Sequence, residues 1–285
     1  MVDLISSLPD EIICYVLSFL PSQQVVATSV LSKRWNLLWR SVPSLDFDTD
    51  IEDFGHLNHQ KISNAVYSSV YSFLVGRGDK PFYRIRLRCY PSIDITESIK
   101  TQIRTAVSGS DKVEILDLKC DWDIVIPSMV FSFKTLVELK LEDITIEDMS
   151  FVDLPLLKIL HLKCIISPIE IDVSQLLTGC PNLEVLEVFE VWHLDCETKR
   201  KFIRLPKLVR VSIDEPLLPL EIFKDVEVLK FYYVMHIFQP NLYLNFDFRN
   251  LVQLQLKVIL EWVLVLEVLN HCPKLQSLVI WIHKV

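Results

Sequence analysis

The sequence predicts an α/β chain: a three-helix module at the N-terminus, then a repeat solenoid built on a parallel β-sheet of about ten strands. Three observations carry this reading. Residues 6–39 hold three short segments with helical apolar spacing, separated by stop signals. From residue 113 onward an L-x-x-L-x-L pattern recurs eight times. Apolar residues make up 51% of the 285 positions and only five residues are glycine, so the chain can bury a long core.

The helical module comes first. Ser7 is placed to cap the first segment, Pro9 falls where a missing N–H costs nothing, and Asp10 and Glu11 occupy the positive first turn. Ile12, Ile13, Val16, Leu17 and Leu20 follow at helical spacing until Pro21 stops the run. Ser22 is placed to cap a second helix carrying Val25, Val26 and Val30. Ser32 is placed to cap a third, whose apolar face is Trp35, Leu38 and Trp39. So short a segment cannot bury all these side chains by itself. Its apolar surface must meet the rest of the chain, a partner, or both. By periodicity alone it reads as a helical cap on the domain that follows, with a partner-binding module as the alternative.

Residue identity favours the module. Leu8-Pro9-Asp10-Glu11-Ile12, then Leu17 to Pro21, then Ala27, then Ser29 to Trp35, and finally Leu38-Trp39 together resemble an F-box. The resemblance implies docking on the Skp-type adaptor of a cullin–RING ubiquitin ligase. It implies that Leu8, Pro9, Ile12, Leu17, Leu20 and Pro21 contribute to that docking surface. Trp35 and Trp39 would pack inward and join the module to the next domain.

Past Trp39 the chain repeats. The middle residue of each L-x-L falls at 117, 140, 161, 187, 212, 230, 255 and 279, at intervals of 23, 21, 26, 25, 18, 25 and 24 residues. This pattern at this period is the signature of leucine-rich repeats. Ser44–Asp48 and Tyr83–Cys89 alternate with period two and extend the series to ten strands. Ile62, Val66, Val70, Phe73 and Leu74 predict a helix between those two. Ile95, Ile99, Ile103 and Val107 predict another after Cys89. Stacking turns the leucines into continuous rows, Leu116 to Leu278 and Leu118 to Ile280. Proline in the lead-ins Leu154-Pro155, Cys180-Pro181, Leu205-Pro206 and Cys272-Pro273 would end each convex segment just before its strand.

With the F-box in front, the whole chain resembles the plant F-box/leucine-rich-repeat family that ends in an FBD region. FRNLVQLQL at 248–256, Trp262, and LNHCPKLQSLVI at 269–280 carry the likeness to that ending. The expected division is F-box 1–42, solenoid 43–247, and final repeats resembling the start of an FBD region at 248–285. The family's FBD usually continues past this point, so Val285 would mark a short variant or an incomplete sequence. In either case the last strand presents an open apolar edge.

Residues between the buried leucines face the concave side of the sheet. The candidates to contact a target are Arg84, Arg86, Arg88, Lys140, His161, Lys230 and Tyr232, with Tyr233 and Trp281 as further aromatics. Three arginines on one strand face would pair across the stack with Asp46, Asp48 and Asp117, since neighbouring strands lie only ~4.8 Å apart. The alternative is a grip on a phosphate or an acidic segment of a target.

Other chemistries fit poorly. No G-x-G-x-x-G, Walker A, H-E-x-x-H or C-x-x-C pattern occurs, so neither a cofactor nor a metal is expected. Cys272 follows His271, but Cys180 holds the same repeat position without a histidine, and a structural role is expected for both. Asp121 and Asp123 sit in a loop. Net charge is −8, against general affinity for nucleic acid or anionic membrane. Residues 258–269 are too short to span a bilayer and include Glu261 and Glu267. The N-terminus lacks the basic region of a signal peptide, and seven scattered cysteines fit a reducing intracellular compartment, nucleus or cytoplasm. Lys199-Arg200-Lys201 reads as a solvated turn. The expected function is a non-catalytic receptor subunit of an SCF-type ligase. It would bind a Skp-type adaptor, through it a cullin, and an unknown protein target. A non-degradative interaction scaffold is the alternative.

Overall fold

The structure, a computed structural model, describes residues 5, 7–48, 59–89, 96–169, 171–192, 194–195, 205–214, 220–232, 244–258 and 262–282. Ile95, Tyr233, the basic run 199–201 and His56, His193, His236 and His283 lie outside the described residues. The chain forms two compact units, Met1–Glu147 and Asp148–Val285.

The first unit begins with α1 (Asp10–Leu17), α2 (Ser22–Ala27) and α3 (Trp35–Leu38). Pro9, rather than Ser7, holds the N-cap position of α1: its ψ of 151° keeps it extended, and the helix starts directly after it. Pro21 does the same for α2. Ser22 is therefore the first helical residue, and its buried hydroxyl accepts the Asp46 N–H at 2.8 Å, tying α2 to the first strand. Ser32 does serve α3, accepting the Trp35 N–H at 3.4 Å. Ile13, Cys14, Leu17, Val25, Trp35, Leu38 and Val42 make the core of this module.

The module continues straight into strands β1 (Ser44–Asp48), β2 (Arg84–Arg88), β3 (Ile115–Lys119), β4 (Val125–Ile126) and β5 (Glu138–Ile146). Two helices, α4 (His59–Arg77) and α5 (Glu97–Ser108), cross between them. Val66, Val70, Phe73 and Leu74 of α4, and Ile103 and Val107 of α5, are buried, as their spacing predicts. Trp39 packs against the three-helix core and reaches Phe73, ring centroids 5.5 Å apart. Gly76 permits this approach, because a Cβ there would lie 2.6 Å from the Trp39 ring. The module is thus joined to the first repeats through Trp39.

The second unit carries β6 (Ile159–Ile166), β7 (Ile171–Asp172), β8 (Val185–Val191), β9 (Leu194–Asp195), β10 (Arg210–Ile213), β11 (Val228–Phe231), β12 (Gln253–Val258) and β13 (Ser277–Ile282). Its helices are α6 (Val173–Thr178) and α7 (Trp262–Asn270). All ten strands expected from the repeats are present, four in the first unit and six in the second, and within each unit they pair in parallel. The register matches the sequence alignment residue for residue. Asp46, Arg86, Asp117 and Lys140 align in one unit; His161, Glu187, Ser212, Lys230, Gln255 and Val279 align in the other.

The leucine rows are buried, except at β13, where Leu278 is 41% exposed. Each proline lead-in closes a turn. Leu157, Leu183, Leu208 and Leu275 donate their N–H groups to the carbonyls of Leu154, Cys180, Leu205 and Cys272 at 3.1–3.2 Å. Proline at the second turn position pre-sets the required φ and lacks only a donor the turn does not use.

Asp143, Cys164 and Glu190 all have φ near 50°, and each lies three residues past the central outward residue of its strand. This left-handed residue shifts the alternation of the strand. In β5 the buried positions pass from Leu139 and Leu141 to Ile144 and Ile146.

Gly179 ends α6 at a close approach. Its carbonyl accepts the Leu154 N–H at 2.9 Å, and a Cβ would fall 2.3 Å from the Val152 carbonyl oxygen. Backbone cannot yield cheaply here. Gly179→Ala is expected to destabilise the protein by about 1–3 kcal/mol, read as a lowered urea midpoint at unchanged slope.

Candidate docking face and concave strand face

In α1 the apolar residues form two faces. Ile13 and Leu17 point into the module, while Ile12, Tyr15, Val16 and Phe19 stay exposed. Val26, Val30, Leu31 and Leu37 are exposed beyond it, Val30 at 85%. Of the 22 large apolar residues exposed among the described residues, ten belong to positions 5–37, a density that solvated surface does not need. Arg34 fastens the start of this surface, its Nε 2.8 Å from Asp10 Oδ1 and its guanidinium also donating to the Leu8 carbonyl.

The six residues expected at the docking surface divide. Pro9, Ile12 and Pro21 are exposed, Leu8 is 36% exposed, and Leu20 is half-buried against the module core. Leu17 is only 3% exposed, because it faces Ile13 and the core one turn away from Ile12 and Val16. Its side chain shapes the surface from beneath and is not part of it. Tyr15, Val16, Phe19, Val30 and Leu31, outside those six, are exposed as well. The signal was available: apolar residues at both i and i+1 along α1 mean two apolar faces, and one module core can take only one of them.

On the strand face of the first unit, carboxylates occupy the cations. Arg86 bonds Asp48 at 2.6 Å, with Asp117 at 3.7 Å and Asp46 at 3.9 Å. Arg88 bonds Asp117 at 3.0 Å and Glu142 at 3.2 Å, and Lys119 lies 3.8 Å from Glu142. Lys140 pairs with Glu138, its neighbour on the same face, at 2.6 Å. Burial holds the Asp46 carboxyl above its usual range, an effect that Arg86 opposes. Arg86 and Arg88 of β2 therefore pair with carboxylates across the stack. Arg84 is placed differently: its Nε is buried without a hydrogen bond, as is Oγ of its register partner Ser44.

On the strand face of the second unit, His161 Nδ1 lies 2.7 Å from Glu187. The His161 ring is 6.3 Å from Phe189, and Phe189 meets Tyr232 edge-to-face at 5.2 Å. Lys230 stands in register between Ser212 and Gln255.

An F-box domain model matches residues 5–47, the whole three-helix module and β1. Two F-box/LRR-repeat proteins of Arabidopsis thaliana are 33% and 35% identical over 215 and 202 residues, covering 74% and 67% of this chain. An F-box/FBD/LRR-repeat protein of the same plant is 34% identical over 212 residues, 74% of this chain. The chain belongs to the plant F-box/LRR/FBD family. It spans about half the length of these relatives, 44%, 51% and 49% respectively.

Cys180 and Cys272 of this F-box/LRR protein are built for packing. Cys180 and Cys272 occupy the same buried turn position as Leu154 and Leu205, and burial pushes their thiols up to about 12 and about 11. Cys272 Sγ donates to the Val268 carbonyl at 3.0 Å. His271 lies 2.9 Å from Asp247 and 3.5 Å from Glu267, engaged with carboxylates rather than with the neighbouring thiol. Asp121 caps its own loop by accepting the Asp123 N–H, and Asp123 pairs with Lys100 at 3.0 Å. Among the described residues, no cluster of three or more His, Cys, Asp or Glu is placed to hold a metal ion. No described helix is long and apolar enough to cross a membrane.

Proposed function

We propose that this F-box/LRR protein is the substrate-recognition subunit of an SCF-type, cullin–RING ubiquitin ligase. One observation carries the reading. A matched F-box folds around its own core yet leaves a second apolar face, Ile12, Val16 and Phe19 with Val30 and Leu31, uncovered. An apolar surface of this density needs a partner to remove it from water, and a Skp-type adaptor is the partner an F-box takes. Leu8, Pro9, Ile12, Leu20 and Pro21 line or border that face.

The repeats hold a protein target on their strand faces, and no bond is made or broken by this chain. Its contribution is proximity. Adaptor and cullin place the ubiquitin-charged enzyme near a target held on the repeats, which raises the effective concentration of lysine and thioester.

The reading is tested with proteins captured by the full chain in plant cells, comparing wild type with Ile12→Asp. Captured proteins are expected to carry ubiquitin chains with wild type alone, and to accumulate when the gene is lost. Capture that never leads to ubiquitination would instead make the protein a non-degradative scaffold.

A further inference from the structure

Resting on the receptor reading above, we infer that the strand face of the second unit recognises an extended target segment by an acidic residue and an apolar residue two positions apart. Lys230 takes the carboxylate, and the Phe189–Tyr232 pair takes the apolar side chain.

The two strand faces differ in what they leave free. In the first unit Arg86, Arg88 and Lys140 are satisfied by carboxylates of the protein itself. In the second, the histidine is satisfied by Glu187, but Lys230 is not satisfied at all. Its register neighbours Ser212 and Gln255 are uncharged, and it makes no ion pair or hydrogen bond with any described residue. A half-buried lysine in this position is a point charge awaiting an anion.

Tyr232 lies two positions further along the same chain, its N–H held by the Ile213 carbonyl at 3.0 Å, so it continues the strand face. Its hydroxyl also bonds no described residue. Phe189 comes from β8, with β10 between them. The intervening position is Asp214, which is buried and turns its carboxylate down to the Glu190 N–H at 2.5 Å, so the two rings meet across it. The result is an aromatic step beside a lysine that pairs with no described residue.

Spacing selects the ligand. Outward side chains two positions apart on a strand are separated by roughly 6.8 Å. Side chains i and i+2 of an extended peptide have the same separation and the same face. A segment laid along β11 therefore meets Lys230 and the aromatic pair with an acid and an apolar residue in acid-x-apolar order, or the reverse. A carboxylate fits better than a phosphate. One lysine charge matches the single charge of a carboxylate, whereas a phosphate group carries about −1.5 to −2 at neutral pH.

The test pans a phage-displayed library of random 12-residue peptides against the full chain co-expressed with a Skp-type adaptor, in parallel with Lys230→Glu and Tyr232→Ala. Thermal melts confirm that each variant folds, and Lys230→Gln replaces Lys230→Glu if the charge reversal does not. Wild type is expected to enrich Asp or Glu two positions from Phe, Tyr, Leu, Ile or Met. A synthetic peptide of that pattern should bind either Lys230 variant at least about tenfold more weakly, as should the same peptide with its acid changed to the amide. Enrichment of nothing, enrichment of a pattern without an acid, or equal binding by the Lys230 variants would overturn the inference. Adaptor co-purification, scored in the same preparations, separates the two claims. Adaptor binding without the peptide pattern keeps the ligase reading and sinks this one; the pattern without adaptor binding does the opposite.

Discussion

Arg77→Leu is expected to destabilise the first unit more than any other single change at a charged residue described above. Arg77 is 5% exposed at the end of α4, yet it forms no ion pair with a carboxylate among the described residues. Its guanidinium donates to the Val42 carbonyl, to Pro81 O at 3.0 Å, and to Arg40 O and Lys80 O at 3.5 Å, and it lies 4.2 Å above the Phe82 ring. One side chain thus ties the exit of the F-box to the entry of β2. Burial lowers its pKa to about 10, which still leaves it charged at neutral pH. Leucine would leave the Val42 carbonyl buried and unbonded, and would break the bond to the carbonyl of exposed Pro81, which water can replace. At about 1–3 kcal/mol for the orphaned acceptor and about 1 kcal/mol for the second bond, the loss is roughly 2–4 kcal/mol. Lysine is not expected to rescue it, because a single ammonium cannot span carbonyls that a planar fork reaches on two sides. Urea unfolding of the three proteins decides the matter; a loss below ~1 kcal/mol for Arg77→Leu would refute the role.

Leu160→Ala is expected to cost about 2–5 kcal/mol, and Leu278→Ala roughly 1 kcal/mol, although both occupy the same position of the repeat. Leu160 is fully buried on β6, in a row that continues through Leu186, Val211, Leu229 and Leu254. Truncating it leaves a cavity closed by neighbours that are themselves fixed. Leu278 on β13 is already partly in water. Equal losses at the two sites would mean that the exposure of β13 is not its state in solution.

The repeats were the most legible part of the chain. Their buried positions recur at a period that only stacking explains, and the strand register followed from the pattern without adjustment. Helix caps were less legible. Ser7 and Ser22 are good capping residues, but Ser7 lies two residues before Pro9 and Ser22 is already inside its helix, so Pro9 and Pro21 take the N-cap positions and Ser22 is free to hold Asp46. Side-chain pairing was half legible. Alternating Asp and Arg on adjacent strands announced a ladder, but which cation stays unpaired depends on neighbours from other repeats, as Lys230 and Arg86 show. The Phe189–Tyr232 contact was not legible, since it requires an intervening strand whose residue turns away. Nor was the role of Arg77, whose hydrogen-bond partners are all backbone carbonyls and leave no trace in a pattern of side chains.

The docking face is tested most directly by titrating a purified Skp-type adaptor against wild type, Ile12→Asp and Lys230→Glu, each confirmed folded. Ile12 is 47% exposed in the first turn of α1, where an acid suits the helix and leaves the core untouched. Wild type and Lys230→Glu are expected to bind with equal affinity, and Ile12→Asp to lose at least about 2 kcal/mol, roughly thirtyfold. A folded wild type that does not bind the adaptor, or an Ile12→Asp variant that binds as tightly as wild type, would contradict the account.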